Sequence, residues 1–274
     1  MRYRLSTVLV AAAAVAALAG CTQQAQEAAQ DDPARQASSG TNRLQEILER
    51  GVLRVGTTGD FFMSFIDPET GERGGYDIEL TTQLAEDMGV EIEYVSTDWP
   101  SLVSGLVAGR YDITTGASFN PGRARTASYT LPIARVGTVA VIRRADADRL
   151  ASWEAINQPN VRVAVRQGSV FEDQAQGITP DAEISAVAAP ATEYQEVLAG
   201  RADAAITSLF DAASLVSDQE SLQIAPVDPR NTNFIGILVP QGHDEVRTFI
   251  NAWIRAKEHS GFIDELTQKW NLGF

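Results

Sequence analysis

The stretch Gly51-Val-Leu-Arg-Val-Gly-Thr-Thr-Gly-Asp60 decides the fold, because it carries a short apolar strand directly into a turn of small and polar residues. A helical pattern over residues 44–50 precedes this strand, and a second one over residues 78–88 follows it and ends at Gly89. In the second pattern apolar side chains recur at the spacing of one buried helix face. A strand placed between two helices predicts the first unit of an α/β sheet.

The same order of elements continues along the chain. Strands are predicted at residues 52–56, 90–95, 111–115, 161–165, 182–187 and 204–207, and helices at residues 99–108, 169–176, 193–199, 207–216 and 244–259. This alternation favours parallel strands covered by helices. We therefore predict two α/β lobes: the first lobe is residues 43–136 with 237–274, and the second lobe is residues 137–236. Extended segments near residues 135–139 and 234–238 are predicted to form a two-strand hinge beside a central ligand cleft.

The amino-terminal segment has the pattern of an export signal. Arg2 and Arg4 precede an apolar run over residues 5–18, which is shorter than the roughly 20 residues that span a bilayer. Small residues then lead to Cys21, the single cysteine of the chain, at the position where a bacterial lipobox carries its lipidated cysteine. We predict a lipoprotein signal peptide at residues 1–20 and a lipid-anchored, disordered tether at residues 21–42 that holds the protein on a membrane surface. The alternative is an ordinary signal peptide with a free cysteine.

Composition excludes some classes of function. The chain has 22 Lys and Arg against 36 Asp and Glu, which gives a formal charge of −14. Nucleic-acid binding requires clustered basic residues, so we do not predict it. With two histidines and one cysteine we predict neither a metal site nor a cofactor. A small anionic ligand remains compatible with this negative net charge, because one or two arginines can dominate the electrostatic potential of a cleft locally.

Several motifs together resemble the bacterial solute-binding proteins of family 3, the amino-acid-type receptors of ABC importers. They are residues 51–60, Gly75-Tyr-Asp-Ile-Glu-Leu80, Gly109-Arg-Tyr-Asp-Ile113, Arg123 ahead of Tyr129-Thr-Leu-Pro132, and Gly200-Arg-Ala-Asp-Ala-Ala-Ile206. The resemblance covers nearly the whole chain after the tether. It implies a periplasmic binding protein type II fold, a small carboxylate ligand such as an amino acid or related organic acid, an ABC permease as partner, and a monomer.

A narrower resemblance points to the cyclohexadienyl dehydratase branch of the same superfamily. It rests on Thr57-Thr-Gly-Asp60, Thr97-Asp-Trp-Pro100 and Asn157-Gln-Pro-Asn-Val161. Those enzymes convert prephenate or arogenate by eliminating water and carbon dioxide in the same kind of cleft. One fold therefore offers a binder and an enzyme, and the site residues have to decide between them.

Arg123 is the leading candidate for ligand binding in the first lobe. In the family, an arginine at this place, five residues after a small hydroxyl residue, binds the ligand carboxylate through a bidentate pair of hydrogen bonds. Here Ser118 stands five residues earlier, and Gly116 is expected to expose a backbone N–H. The alternative is an exposed loop arginine, which is the interpretation that we give Arg125.

Three further candidates lie near the ends of the first strands. Asp60 follows the first strand at the edge where α/β sheets place binding groups, although an aspartate after Gly59 is equally common as a turn former. Phe61 is expected to line the cleft. Trp99, at a predicted helix start, is expected to wall the pocket, with core packing as its alternative.

In the second lobe, Gly168 and Ser169 open a predicted helix, whose free N–H groups favour an anionic group of the ligand. Arg166 directly precedes this turn and is either a second cation for a dicarboxylate or a solvated side chain. Glu172 lies in the first turn of the helix, and we interpret it as a capping residue.

The stretch Thr207-Ser-Leu-Phe-Asp211 separates the two functions. Amino-acid receptors of the family usually carry an aspartate where this chain has Ser208, which weakens the case for an ordinary α-amino acid. The dehydratases resemble Thr-Asp-x-x-Glu here, with the glutamate as general acid, and this chain has the shorter Asp211 at that position. We therefore interpret the protein as a binder for uptake. Dehydration is the alternative, and a sensory receptor with the same cleft is a third hypothesis.

Overall fold

The computed structural model describes residues 42–59, 63–67, 69–270 and 272. The predictions for residues 1–41, including lipidated Cys21, and for Asp60 and Phe61 lie outside the described residues. The part Arg43–Phe274 forms one compact unit. Within the described residues, no helix combines the length and the apolar character that crossing a membrane requires.

Helices and strands alternate along the compact unit. The helices are α1 (Arg43–Arg50), α2 (Tyr76–Met88), α3 (Leu102–Val107), α4 (Pro121–Ala124), α5 (Trp153–Ile156), α6 (Val170–Ile178), α7 (Glu193–Leu198), α8 (Leu209–Asp218), α9 (Asp244–His259) and α10 (Phe262–Lys269), with a 3-10 turn at Arg144–Asp146. The strands are β1 (Val52–Thr57), β2 (Phe65–Ile66), β3 (Arg73–Gly74), β4 (Glu91–Ser96), β5 (Ile113–Thr114), β6 (Gly116–Ser118), β7 (Ala127–Arg143), β8 (Arg162–Arg166), β9 (Glu183–Val187), β10 (Ala204–Ser208), β11 (Leu222–Ile224) and β12 (Arg230–Pro240).

A three-stranded parallel sheet, in the order β4-β1-β5, carries the motifs that open the folded part. Val55 in the central strand lies opposite Tyr94 on one side and Ile113 on the other. Parallel strands need a helical connection between them, and α2 and α3 supply it. Gly89 ends α2 in the left-handed conformation with φ 70°, which confirms the predicted helix end.

A larger sheet runs in the order β6-β12-β7-β10-β8-β9, with β11 paired to β7. Strands β8, β9 and β10 are parallel, as predicted, whereas β7 and β12 are antiparallel neighbours. The 17-residue strand β7 pairs with β12 at Arg135↔Phe234 and then with β10 at Ala140↔Ile206. The two extended segments predicted for the hinge are therefore hydrogen-bonded to each other. The lobe boundaries themselves stay a prediction.

Separate apolar clusters pack on the two groups of strands. The first contains Leu53 and Val55 of β1, Leu80 of α2 and Ile254 of α9, all fully or almost fully buried. Two others cover opposite faces of the β8–β10 strands, with Val163 in one and Ala205 in the other. Phe210, at the start of α8, packs into the first cluster. One aromatic side chain of the predicted second lobe thus joins the core of the first.

The two Gly-Arg-x-Asp motifs form the same arrangement of hydrogen bonds and ion pairs at two places in the fold. Asp112, whose side chain is fully buried, accepts the backbone N–H of Arg54 at 2.9 Å and forms ion pairs with Arg43, Arg50 and Arg54. Asp203 accepts the backbone N–H of Arg162 at 2.9 Å and pairs with Arg143, Arg149 and Arg162. Each aspartate precedes one strand and binds the backbone of its parallel neighbour, so each fixes the register of a strand pair.

Two predicted helices start later than their patterns indicate. The helix predicted at residues 99–108 begins at Leu102, because Asp98 Oδ1 accepts the N–H of Ser101 at 2.8 Å and holds a turn around Trp99. The helix predicted from residue 207 begins at Leu209, because Ser208 caps it from an extended conformation. Helix α10 was not predicted, and it follows Gly261 with φ 82°.

Candidate ligand-binding site

A cavity lies where the two predicted lobes face each other, between the turn ahead of α3, strand β6 and the starts of α6, α7 and α8. It encloses about 880 Å³, counting space that is open to solvent. Seven predicted site residues line it: Trp99, Gly116, Ser118, Arg166, Ser169, Ser208 and Asp211. Arg123 contacts two of these lining residues, Trp99 and Ser118, and Gly168 directly precedes Ser169 and accepts a hydrogen bond from Arg123. The carboxyl ends of neighbouring strands meet at this edge, which is why these distant positions come together.

Arg123 is held at the boundary of the cavity by contacts from both predicted lobes. Asn120 caps the short helix α4, since its Oδ1 accepts the N–H groups of Gly122 and Arg123. The guanidinium donates to the carbonyl oxygen of Ser118 at 3.3 Å and to that of Gly168 at 2.9 Å. Its carbon lies 4.6 Å from the centroid of the Trp99 ring. Arg123 is 8% exposed, whereas Arg125 is exposed, as predicted.

The polar groups of the turn before α6 form hydrogen bonds with other groups of the protein. Gly168 has φ 72°, and a side-chain carbon there would lie 2.8 Å from atoms of Pro100. Its N–H donates to Glu172 Oε2 at 2.7 Å, which confirms the capping role predicted for Glu172. Ser169 caps α6 by accepting the N–H of Phe171 at 3.2 Å. The backbone N–H groups of Gly168, Ser169 and Phe171 therefore already have acceptors within the protein.

Arg166 is paired across the cavity wall with Glu193, a residue that the sequence interpretation did not include. Arg166 Nε donates to Glu193 Oε2 at 3.1 Å. Glu193 is the first residue of α7 and only 6% exposed, and both side chains line the cavity. Burial of a carboxylate is costly unless an opposite charge compensates it, and Arg166 supplies that charge.

Ser208 and Asp211 form one hydrogen-bonded unit at the start of α8. Ser208 Oγ accepts the N–H of Asp211 at 2.9 Å and donates to Asp211 Oδ2 at 2.6 Å. Thr207 Oγ1 donates to the same oxygen at 3.4 Å. Asp211 thus lies in the cavity as a hydrogen-bond acceptor, held by the two residues that precede α8.

The apolar part of the lining was largely missed by sequence reasoning. Met63, Phe171, Tyr194, Phe210, Leu215 and Ile235 contribute to it. Like Glu193, four of them lie in helices that follow a strand of the larger sheet: Phe171 in α6, Tyr194 in α7, and Phe210 and Leu215 in α8. This placement is the sequence signal that could have identified these residues as lining residues, because helices that follow parallel strands begin beside the cleft in this kind of sheet. Core packing has the same apolar pattern, so composition did not separate the two roles.

Comparisons with known proteins agree with this architecture. The model of the bacterial extracellular solute-binding proteins, family 3, matches residues 53–273. Cyclohexadienyl dehydratase of Pseudomonas aeruginosa is 29% identical over 262 residues, which cover 95% of this chain and 92% of the relative. The L-cystine-binding protein of Escherichia coli K12 is 21% identical over 228 residues, which cover 83% of this chain and 85% of the relative.

Among solved structures, the chain is similar to an ancestral amino acid-binding protein described as a precursor of cyclohexadienyl dehydratase. The TM-score is 0.77 at 33% identity, and the match covers 83% of this chain and 98% of that one. The fold is the periplasmic binding protein type II fold that the sequence predicted. The chain belongs to the bacterial extracellular solute-binding proteins of family 3.

Proposed function

We propose that this protein is an extracytoplasmic solute-binding protein of an ABC-type uptake system that closes its cleft around a small carboxylate-containing ligand. The observation that carries the proposal is the cavity, because its lining combines β6 of the first predicted lobe with the starts of α6, α7 and α8 of the second. A ligand held between these surfaces would stabilise the closed arrangement by its differential affinity for it. A membrane permease would then recognise the closed form.

Arg123 is the proposed partner of the ligand carboxylate. Its guanidinium lies against Trp99 and Ser118, which both line the cavity, and it reaches the carbonyl oxygen of Gly168 in the second predicted lobe. A carboxylate that enters the cleft can take over these donors in a bidentate pair, which is stronger than a bond to a neutral carbonyl. Ligand binding and closure would then use the same side chain.

The proposed location is the outer surface of a membrane. Support comes from the export signal over residues 1–20 and from Cys21, whose lipidation would anchor the protein through the tether. We propose that the protein acts as a monomer with the permease as its partner.

The second candidate function is a prephenate or arogenate dehydratase. The observation that favours it is Asp211, which lies in the cavity at the position that matches the general acid of the dehydratases. The similarity to cyclohexadienyl dehydratase of Pseudomonas aeruginosa, at 29% identity, points the same way. Against it, Asp211 Oδ2 accepts two hydroxyl donors, whereas a general acid has to present a proton to the departing group. We therefore place binding first.

A turnover assay separates the two candidates. Residues 22–274 would be offered prephenate and arogenate separately, while phenylpyruvate and phenylalanine are followed, and a thermal-shift screen of small carboxylates would run beside it. We expect stabilisation without turnover. Turnover that disappears in Asp211→Asn and persists in Asp218→Asn, an exposed position at the end of the same helix, would establish the dehydratase and overturn the proposal.

A further inference from the structure

An apolar groove lies on the strands that are predicted to cross between the lobes. Its walls come from the end of β6, from β7 and from β12, and it encloses about 590 Å³, counting space that is open to solvent. We call it the hinge groove, and it is lined by Phe119, Tyr129, Thr130, Pro132, Phe234 and Gly236, together with Ile235. Of these residues, Ile235 alone also lines the ligand-binding cavity, so the hinge groove is a separate place in the fold.

The hinge groove forms where the pairing of β7 with β12 is irregular. Gly236 lies opposite Pro132, and the register shifts on both sides of this pair. Thr130 Oγ1 accepts the N–H of Ile237 at 3.0 Å, in place of a carbonyl oxygen of β7. An extra residue in one strand bends a ladder locally, and Gly236 has no side chain to fill the space that results. The irregular ladder therefore leaves a depression in the sheet.

Two exposed phenylalanines line this depression. Phe119 is 52% exposed and Phe234 is 45% exposed. They are held side by side, because the N–H of Phe119 donates to the carbonyl oxygen of Phe234 at 2.8 Å. The ring of Tyr129 lies next to them, with its centroid 5.4 Å from that of Phe119. Aromatic surface in a concave place is favourably covered by an apolar ligand, and a ligand ring can stack against these rings.

Arg135 gives the hinge groove a positive charge. It lies opposite Phe234 in the strand pair, its side chain is exposed, and its guanidinium carbon is 5.1 Å from the centroid of the Phe234 ring. Within the described part of the chain, no carboxylate forms an ion pair with Arg135, and no residue that lines the groove is charged. A guanidinium stacked on an aromatic ring keeps its N–H donors available for a carboxylate. The groove therefore complements an aromatic body that carries one negative charge.

We propose that the hinge groove is a second binding site, which takes a small aromatic monoanion. The ring of this ligand lies against Phe119 and Phe234, and its acid group pairs with Arg135. The volume of the groove is in the range of small-molecule sites, about 300–1,000 Å³. A second copy of this chain is the poorer occupant, because two chains that each carry a formal charge of −14 repel each other. The proposal is independent of the uptake function, since the ligand-binding cavity has no part in it.

Photocrosslinking of residues 22–274 with 4-benzoylbenzoate tests the proposal. This probe is an aromatic monoanion that bonds covalently to neighbouring residues on irradiation, and mass spectrometry of the peptides locates the adducts. We expect labelling that saturates with probe concentration on Phe119, Tyr129, Pro132 or Phe234. The matched probe 4-benzoylbenzamide lacks only the charge. It should need an at least about threefold higher concentration for half-maximal labelling, because the pair with Arg135 is lost.

Variants then assign the roles, with the concentration for half-maximal labelling of Phe119 or Tyr129 as the readout. Phe234→Ala should raise this concentration at least about tenfold, since it removes most of one aromatic wall. Arg135→Gln should raise it about three- to fivefold for the acid and leave it unchanged for the amide. Arg255→Gln is the matched control, because Arg255 is an exposed arginine on α9. It should leave both values unchanged.

Several outcomes would overturn the proposal. Labelling confined to residues of the ligand-binding cavity, such as Trp99 and Tyr194, would show that the hinge groove does not bind the probe. Labelling without saturation, or equal labelling by the acid and the amide, would be equally decisive, even if Phe234→Ala does not fold. A dimer of the wild-type protein in sedimentation that Phe234→Ala dissociates would place a second copy in the groove instead.

Discussion

Asp203 illustrates how single residues stabilise this fold. It is 7% exposed, and Arg162 and Arg149 donate to it at 3.1 Å and 3.0 Å. Burial disfavours its charged form, but the hydrogen bonds from Arg162 and Arg149 outweigh this effect and lower the pKa of Asp203 to about 2. A pKa below that of the unfolded chain, which is about 3.9, means that the ionised carboxylate stabilises the folded state.

The stability of an Asp203→Asn variant should therefore depend on pH differently from that of the wild-type protein. The wild-type advantage should be complete above about pH 5 and disappear as the pH falls through about 2, because both states then bind the proton. We expect a difference of roughly 1–2 kcal/mol at neutral pH, since the surrounding arginines are partly exposed and screened. Urea unfolding at a series of pH values measures it. Asp148→Asn, at an exposed position, is the control.

Arg123 should determine ligand affinity through the shape of its guanidinium as well as its charge. Arg123→Lys retains the charge but loses the bidentate fork and the planar contact with Trp99. We expect the ligand-induced rise in melting temperature to be largely lost, with affinity about 10- to 100-fold lower. Arg125→Lys changes an exposed arginine two residues away and should behave like the wild-type protein. Undiminished stabilisation of Arg123→Lys by the ligand would remove Arg123 from the site.

At the scale of elements, the start of α6 meets the turn before α3 across the cleft. Gly168→Ala places a carbon 2.8 Å from Pro100 in a backbone conformation with φ 72° that disfavours side chains. We expect a loss of about 1–3 kcal/mol in stability together with weaker ligand binding, because the clash forces the two surfaces apart. Denaturant unfolding and calorimetry measure the two effects.

Gly177→Ala is the matched control, because Gly177 lies inside α6, the helix that Gly168 precedes. An added side-chain carbon there has no atom within 4 Å, and alanine is the better helix former. This variant should be neutral or more stable by up to about 1 kcal/mol, with unchanged affinity. Wild-type behaviour of Gly168→Ala would mean that the turn and Pro100 separate at no cost.

A second element-level feature connects the hinge strands to α6. Thr138 on β7 donates to Gln174 Oε1 at 2.5 Å, and Gln174 Nε2 donates to Asn233 Oδ1 on β12 at 2.7 Å. The two crossing strands are therefore tied both to each other and to the helix whose start borders the cavity. Bending of these strands would move the start of α6 relative to β6.

At the scale of the whole molecule, hydrogen bonds join the two predicted lobes, and in the proposed binding by closure they would favour the closed arrangement. Asn120 Nδ2 donates to Asp173 Oδ2 at 2.9 Å across the cleft. Asn120→Ala removes one such bond together with the cap of α4, so ligand affinity should fall about three- to tenfold. In small-angle X-ray scattering the ligand should reduce the radius of gyration, and a higher ligand concentration should be needed in the variant.

Asn157→Ala provides the comparison, because Asn157 donates to Asp181 Oδ2 at 3.0 Å entirely within the second predicted lobe. It should lower stability without changing the ligand concentration at which the radius of gyration decreases. A radius of gyration that is the same with and without ligand, at a concentration that saturates calorimetry, would contradict binding by closure.

Local patterns in the sequence determined the elements and their class. Helix α9 has the predicted bounds, residues 244–259, because its apolar positions recur at helical spacing. The parallel strands follow from the alternation of strands and helices. Helix starts were less accurate, since Asp98 and Ser208 use side-chain hydrogen bonds that compete with the helical pattern.

Only the tertiary structure decided which charges meet. The sequence places Arg166 and Glu193 27 positions apart, and each alone has the pattern of a solvated side chain. The fold joins them because strand β8 and helix α7 end and begin at the same edge of one sheet. Motifs are local and can be recognised along the chain, whereas the electrostatics of a cleft depend on distances between elements that the chain order does not contain.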